Sequence, residues 1–187
     1  MSTPIIEPST TGIAARDFQW ALRSVVGDDV FEDILRSIPR EARDAVRSAP
    51  TAAWVPLVHI GEVIDQACQR TGLDEDALLT RTTRMSTERT LNTVWRVLLR
   101  MTSDDAIITR TPLLWKRTRN VGELSVTDHG RGFGTLEVMG WPGMTRRSAL
   151  ILSVNIETVL KCAGRRGVRV EWGRTPDGAR YHVTWRV

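Results

Sequence analysis

The sequence contains few residues of the kinds that hold metal ions or form disulfide frameworks. Its 187 residues include two cysteines, three histidines and one tyrosine. Cys68 and Cys162 both fall on apolar helix faces, which is typical of small buried side chains. His59, His129 and His182 lie in three different predicted elements. These scarcities exclude a zinc-type site, which needs cysteines and histidines at ligand spacing.

Sequence motifs of catalysis are also missing. The chain has no Gly-x-Ser-x-Gly elbow and no His-Glu-x-x-His pair. The glycine-rich stretch 130–134 joins two predicted strands and lacks the Gly-Lys-Ser/Thr ending of a phosphate-binding loop. We therefore expect no enzymatic activity, and an enzyme of unknown reaction is only the third functional hypothesis.

Long apolar runs are absent as well. None approaches the roughly 18–20 apolar residues that a membrane-spanning helix needs. The first residues are rich in proline, serine and threonine and lack the basic and apolar regions of a signal peptide. We expect a flexible leader over residues 1–12, no membrane span and a cytoplasmic location. The length and the 41% apolar content predict one domain over residues 13–187.

Lysine is scarce, and arginine supplies nearly all of the positive charge. The net charge is +4, and acidic clusters at 28–33 and 74–76 interrupt the basic residues. Arg89, Arg96 and Arg100 lie close together on a predicted helix over residues 86–101. Because phosphates bind such arginine ridges, nucleic-acid binding is the alternative functional hypothesis.

The C-terminal part of the chain shows the clearest pattern. Apolar and polar residues alternate with period two over 122–128 and 135–141, and again over 168–172 and 181–187. Such alternation predicts strands with one buried face. With the apolar helix between the pairs, the pattern predicts a β-β-α-β-β unit with a twisted antiparallel sheet.

The rest of the chain has helical periodicity. Residues 13–110 are predicted to be mainly helical and residues 111–187 to hold the sheet and the central helix. The predicted N-terminal helices are 13–26, 28–38, 39–48, 56–71, 74–79 and 86–101. The predicted fold class is therefore α+β, with these helices packed on the C-terminal unit.

The predicted central helix, Arg147–Ala163, is apolar over more than one stripe. One face of a sheet covers only a stripe of roughly 100° on a helix. We therefore expect the surplus to meet the N-terminal helices, a second copy of the chain, or an apolar small molecule in a cavity. The candidate interface or pocket residues are Leu150, Ile151, Val154, Ile156, Val159, Leu160 and Cys162.

The order of several short motifs resembles a family of uncharacterised proteins that occurs as paralogues in myxobacteria. The motifs are Trp54-Val55-Pro56-Leu57, Asn120-Val121-Gly122, Cys162-Ala163-Gly164 and Tyr181-His182-Val183-Thr184-Trp185. That family is similar to a superfamily of TRAPP-type trafficking subunits, 4-vinyl-reductase domains and haem-nitric-oxide-binding domains. The resemblance implies helices on an antiparallel sheet, frequent dimers and frequent apolar pockets.

Haem-binding members of this superfamily use a Tyr-x-Ser-x-Arg motif. The single tyrosine, Tyr181, is followed by a different sequence, so we expect no haem and no other cofactor. The leading hypothesis is a non-catalytic binding or scaffolding module of bacterial signalling or regulation. It is expected to form a homodimer, to bind another protein, and, as a variant, to hold an apolar small molecule.

Overall fold

The fold is described from a computed structural model, which describes residues 7–91, 97 and 99–186. The helices are α1 (Gly12–Val26), α2 (Asp28–Ser37), α3 (Arg40–Ser48), α4 (Leu57–Thr71), α5 (Glu75–Thr90), α6 (Asp104–Thr118) and α7 (Arg146–Cys162). The strands are β1 (Ser9–Thr11), β2 (Trp54–Pro56), β3 (Glu123–Gly130), β4 (Phe133–Met139), β5 (Arg166–Thr175) and β6 (Gly178–Arg186). Among these described helices, none combines the length and the apolar character needed to cross a membrane.

Local signals set several helix ends. Gly27 follows α1 and Gly72 follows α4, and both have positive φ, which glycine adopts without a steric penalty. The Asp74 side chain accepts a hydrogen bond from the backbone N–H of Ala77 at 3.0 Å and so caps α5. Ser103 caps α6 in the same way. These ends are therefore readable from single residues.

The predicted helix boundary at Ser86 is wrong. α5 continues through Ser86 to Thr90, and the Ser86 hydroxyl donates to the carbonyl of Thr83 instead of capping a new helix. A serine within a helix makes such a backbone contact readily, so a cap-like residue alone does not prove a helix start. Most of the remaining predicted helix, residues 92–96 and 98, lies outside the described residues.

Part of the predicted flexible leader is an ordered strand. β1 pairs antiparallel with β2, and Ser9 and Thr10 are buried. The backbone N–H of Ser9 also donates to Asn120 at 2.7 Å. A three-residue strand of small polar residues has no apolar alternation, so its pairing partners alone decide that it is a strand.

The second sheet has four antiparallel strands in the order β3-β4-β6-β5, and α7 connects its two hairpins. The predicted α+β class and the β-β-α-β-β order are confirmed. Two apolar clusters form the core. One lies between the sheet and the helices α6 and α7, and the other lies among the N-terminal helices.

Candidate functional site

The helix α7 lies between the sheet and the N-terminal helices. Ile156 and Leu160 belong to the apolar cluster on the sheet, whereas Leu150 and Ile151 pack against the helical cluster. Every residue from 147 to 160 is buried or half-buried. The chain's own helices therefore take up much of the surplus apolar surface of α7.

This packing also bears on the other predicted interface or pocket residues. Val154 is buried, and Val159 and Cys162 are half-buried. None of the seven predicted residues is exposed in the single chain. The role of these residues in binding stays a prediction, and so does the homodimer. Light scattering on the purified protein measures its oligomeric state directly.

Charged residues clamp the start of α7 to the helical layer. The Arg147 guanidinium donates two hydrogen bonds to Glu75 of α5, both 2.9 Å, and one of 2.5 Å to Asp65 of α4. The next residue toward the N-terminus, Arg146, donates to both oxygens of Asp76 at 2.5 Å. The hydrogen bonds from Arg147 lower the pKa of the Glu75 carboxyl. α7 is thus held to α4 and α5 by charge-assisted hydrogen bonds.

This clamp predicts an acid-dependent stability. Because the folded-state pKa of Glu75 lies below its ordinary value of 4.5, ionised Glu75 stabilises the fold at neutral pH. That stabilisation is lost as the pH falls through the lowered value. We expect Glu75→Gln to be less stable than the wild type at neutral pH, with the difference shrinking below about pH 4.5. Urea unfolding across this pH range measures the effect, and a constant difference would contradict it.

The N-terminal and C-terminal parts of the chain are tied at a second place. Thr10 of β1 forms an antiparallel bridge with Arg119, which directly follows α6. The Arg119 guanidinium donates to the Thr10 hydroxyl at 2.5 Å and to the Thr118 carbonyl at 2.9 Å. Burial lowers the pKa of Arg119 to about 10. The start of α1 is therefore fastened to the end of α6.

Beyond this junction α1 and α6 do not pack side by side. Both helices carry exposed apolar side chains, namely Ile13 on α1 and Leu113 and Leu114 on α6, at 45–62% exposure. Isolated exposed apolar residues are normal, but such residues on two helices that share an end are candidate contacts for a ligand. We take the region between α1 and α6 as the candidate ligand site.

The neighbouring helix α5 carries two orphaned polar groups. Thr82 and Thr83 are almost fully buried, at 0% and 2% exposure. Neither hydroxyl oxygen has a hydrogen-bond partner among the described residues. A buried hydroxyl without a partner is costly unless water or a ligand satisfies it. Since α5 packs against both α1 and α7, these groups lie within the helical layer of the chain.

The three histidines lie elsewhere. His129 on β3 contacts the Asp105 carboxylate at 2.7 Å, and His182 on β6 contacts Thr135 at 3.2 Å. His59 on α4 lies 3.6 Å from Glu62. Within residues 7–91, 97 and 99–186, no three His, Cys, Asp or Glu side chains come together as a metal site.

Two surface depressions carry charged residues in their lining. One of about 540 Å³ runs along α5, and one of about 390 Å³ lies between the start of α6 and the β3–β4 turn. The charged residues include Asp76, Arg84 and Glu88 in the first and Asp104 in the second. None of the predicted interface or pocket residues of α7 lines either depression.

One arginine of the predicted ridge is paired within the chain. Arg89 lies 3.2 Å from Asp17 and sits over the Trp20 ring at 4.4 Å, so its charge is paired within the chain. Arg100 is exposed near Gly164. Arg96 lies outside the described residues. The ridge was assigned from spacing on one predicted helix, but Arg89 lies on α5, whose end is Thr90.

The fold has clear relatives among solved structures. An Fe(II) unliganded H-NOX protein from K. algicida matches with a TM-score of 0.72 at 10% identity, over 95% of this chain and 97% of that one. An oxygen-binding H-NOX domain related to soluble guanylate cyclases matches at 0.70, with 13% identity and 95% of each chain covered. A structure concerned with heme redox potential and porphyrin distortion matches at 0.69, with 14% identity over 95% and 99% of the chains.

No protein-family model and no curated protein matches the sequence. The similarity to the superfamily of haem-nitric-oxide-binding domains is therefore confirmed at the level of the fold. The resemblance to myxobacterial paralogues has no support from these comparisons.

The prediction that the chain takes no cofactor, with haem set aside, is contradicted by these neighbours. It rested on one missing local motif at Tyr181. At 10–14% identity a fold is retained through its pattern of buried positions, and short motifs are a poor guide to it. Over 95% of its length, this chain has the fold of the H-NOX domains.

Proposed function

We propose that this chain is a non-catalytic, ligand-binding sensor domain of a signalling system, built on the H-NOX fold. The observation that carries the proposal is the fold agreement over 95% of this chain and almost the whole of each neighbour. One neighbour binds oxygen and is related to soluble guanylate cyclases. Since folds host several functions, the site must supply the rest of the argument.

The ligand site that we propose is the region between α1 and α6. The junction of Thr10 and Arg119 fixes one end of both helices, and beyond it they do not pack on each other. Exposed leucines on α6 supply apolar groups there. A ligand that covers them would remove apolar surface from water.

Haem is the first cofactor to test, because the neighbours include Fe(II) and heme proteins. The side chains present do not fit a histidine-ligated haem in this region. His129 and His182 lie on the sheet with partners of their own, and His59 lies beside Glu62 on α4. The Tyr181 hydroxyl is buried and donates to the Ala149 carbonyl at 3.2 Å. We therefore assign no step to a haem iron.

Titration with haem tests the proposal. We expect the full chain to bind haem or metal-free protoporphyrin saturably, with a one-to-one endpoint in the Soret band and retention through gel filtration. Comparing the two porphyrins separates ring binding from iron ligation. Binding of both with equal affinity would show that the site takes the macrocycle without an iron ligand.

Two matched variants locate the site. Leu114→Arg places a charge on the exposed face of α6, whereas Met139→Arg does the same at the end of β4, and the two side chains are similarly exposed at 53% and 43%. We expect the first to weaken porphyrin binding and the second to leave it unchanged. Equal effects would move the site away from α6, and no saturable binding of either porphyrin would refute a tetrapyrrole-binding sensor.

A further inference from the structure

Among the residues that the structure describes, no helix packs on one face of the four-stranded sheet. Leu136 and Val183 point toward the cluster that contains α6 and α7. By alternation, their neighbours Thr135, His182 and Thr184 point to the opposite side. His182 is exposed, so this second face is open to solvent in the described chain.

Three exposed arginines of β5 and β6 lie at one end of this open face, and a fourth lies on the turn beside it. Arg131 lies on the β3–β4 turn, whose Gly132 carbonyl accepts a hydrogen bond from the backbone of Trp185. Arg166 stands directly opposite Arg186 in the ladder between β5 and β6, and Arg169 stands opposite Thr184. We call Arg131, Arg166, Arg169 and Arg186 the arginine face.

The arginine face is held in place by local backbone geometry. Between Arg166 and Arg169 the register of β5 shifts, and Gly167 there has a φ of 60°. The side chain of Arg186 lies over Gly167, because a Cβ added at that glycine would meet its Cγ and Cδ atoms at 3.3 Å. Only glycine leaves room for this close approach without strain. The bulge therefore helps to place Arg186 beside Arg166.

Two nearby arginines are paired with acidic side chains. Arg180 pairs with Glu137 at 3.2 Å, and Arg165 pairs with Asp104 at 2.6 Å. Within the described ranges 7–91, 97 and 99–186, no ion pair involves any member of the arginine face. Like charges directly opposite each other in a ladder destabilise a sheet. Arg166 and Arg186 face each other without an acidic partner among the described residues, and a bound anion would offset the repulsion between them.

The whole C-terminal part of the chain shares this positive character. Residues 104–187 contain 14 arginine and lysine residues against eight acidic ones, whereas residues 1–103 contain 12 against 14. The C-terminal part of the chain is therefore net positive and the N-terminal part slightly negative. Such an asymmetry favours approach of an acidic partner to the C-terminal part.

We propose that the arginine face is the docking surface for an acidic segment of a partner protein. Arginine forks bind carboxylates through two parallel hydrogen bonds, and four of them at one sheet end match a run of aspartates and glutamates. Single-stranded nucleic acid would need exposed aromatic rings for base stacking. Phe133 is half-buried, and its ring lies so close over Gly130 that a Cβ there would approach it to 2.5 Å.

This inference is independent of the porphyrin proposal, because Arg166 and Arg186, which the test replaces, lie on the face of the sheet opposite α6. The test uses the full chain and a short fluorescein-labelled peptide of glutamates and aspartates, followed by fluorescence anisotropy at low salt. An oligothymidylate of equal length is the competing probe. We expect the double variant Arg166→Gln/Arg186→Gln to bind the peptide about tenfold or more weakly, since charge-assisted hydrogen bonds are lost.

The matched control is Arg36→Gln/Arg40→Gln, which removes the same charge from exposed arginines of the helical half. A control that loses little affinity for the peptide supports the proposal. An equal loss of affinity in both variants would mean that the peptide responds only to the net charge of the chain. Tighter binding of the oligothymidylate than of the peptide would make this a nucleic-acid surface and overturn it. We expect the double variant to be at least as stable as the wild type. If the double variant does not fold, Arg169→Gln is used for the same binding measurement.

Discussion

Replacing Leu160 by alanine is expected to lower the free energy of unfolding by about 2–5 kcal/mol. Leu160 is 1% exposed and lies in the cluster between α7 and the sheet. The truncation removes buried apolar surface and leaves a cavity. The cavity stays largely open, because the layers on both sides of α7 are already packed and cannot move in to fill it. Urea or guanidinium unfolding followed by circular dichroism measures the change.

Leu73→Ala is the control, since Leu73 is 41% exposed and lies just beyond α4. We expect a change within about 0.5 kcal/mol for an exposed position of this kind. A small effect at Leu160, similar to that at Leu73, would mean that α7 is not enclosed between the sheet and the helices. The candidate interface residues on α7 would then regain a free surface, and the predicted dimer would gain support.

Replacing Gly12 by alanine is expected to destabilise the fold by about 1–3 kcal/mol or more. Gly12 is the first residue of α1, and a Cβ there would lie 2.0 Å from the Pro50 carbonyl oxygen and 3.0 Å from its carbon. These are backbone atoms of the segment before β2, so no side-chain rotation relieves the clash. Either α1 or this segment must move, which loosens the β1–β2 pair beside the Arg119 junction.

Gly173→Ala tests whether the effect comes from the clash itself. Gly173 lies in β5, and no heavy atom lies within 4 Å of the position that its Cβ would take. We expect this variant to be neutral or slightly more stable, because alanine restricts the unfolded chain more than glycine does. Thermal unfolding of both variants in parallel gives the comparison. Wild-type stability of Gly12→Ala would show that α1 does not start against Pro50.

Short-range pattern was sufficient for the C-terminal unit. Alternation predicted both hairpins, and α7 was predicted as residues 147–163 against the observed Arg146–Cys162. These elements have one buried face each, so their periodicity is imposed by the core and is visible in the residues. The ends of α1 and α4 were also predictable, because each of these helices is followed by a glycine with positive φ. Elements with weak patterns, such as β1 and the long α5, were missed or cut short.

The candidate site was predicted less well than the fold. Arg89, chosen for its spacing, is paired with Asp17 by a helix that lies far away in sequence. Three features could not be predicted from the local sequence pattern. They are the Arg119 junction, the unpartnered hydroxyls of Thr82 and Thr83, and the placement of Arg166 opposite Arg186. Each depends on which distant segments come together, and one sequence shows no such pairing.

The sequence by itself determined that this is an α+β protein with two hairpins around an apolar helix, because burial on one side leaves a period in the residues. Only the tertiary structure decided that the second face of α7 is covered by the chain's own helices, that α1 and α6 are joined at Arg119, and that the fold is that of the H-NOX domains. These features depend on contacts between residues far apart along the chain, from 68 positions for Thr87 and Asn155 to 109 for Thr10 and Arg119. The energies of these contacts depend on distances in space, which cannot be read from the spacing of residues along the chain.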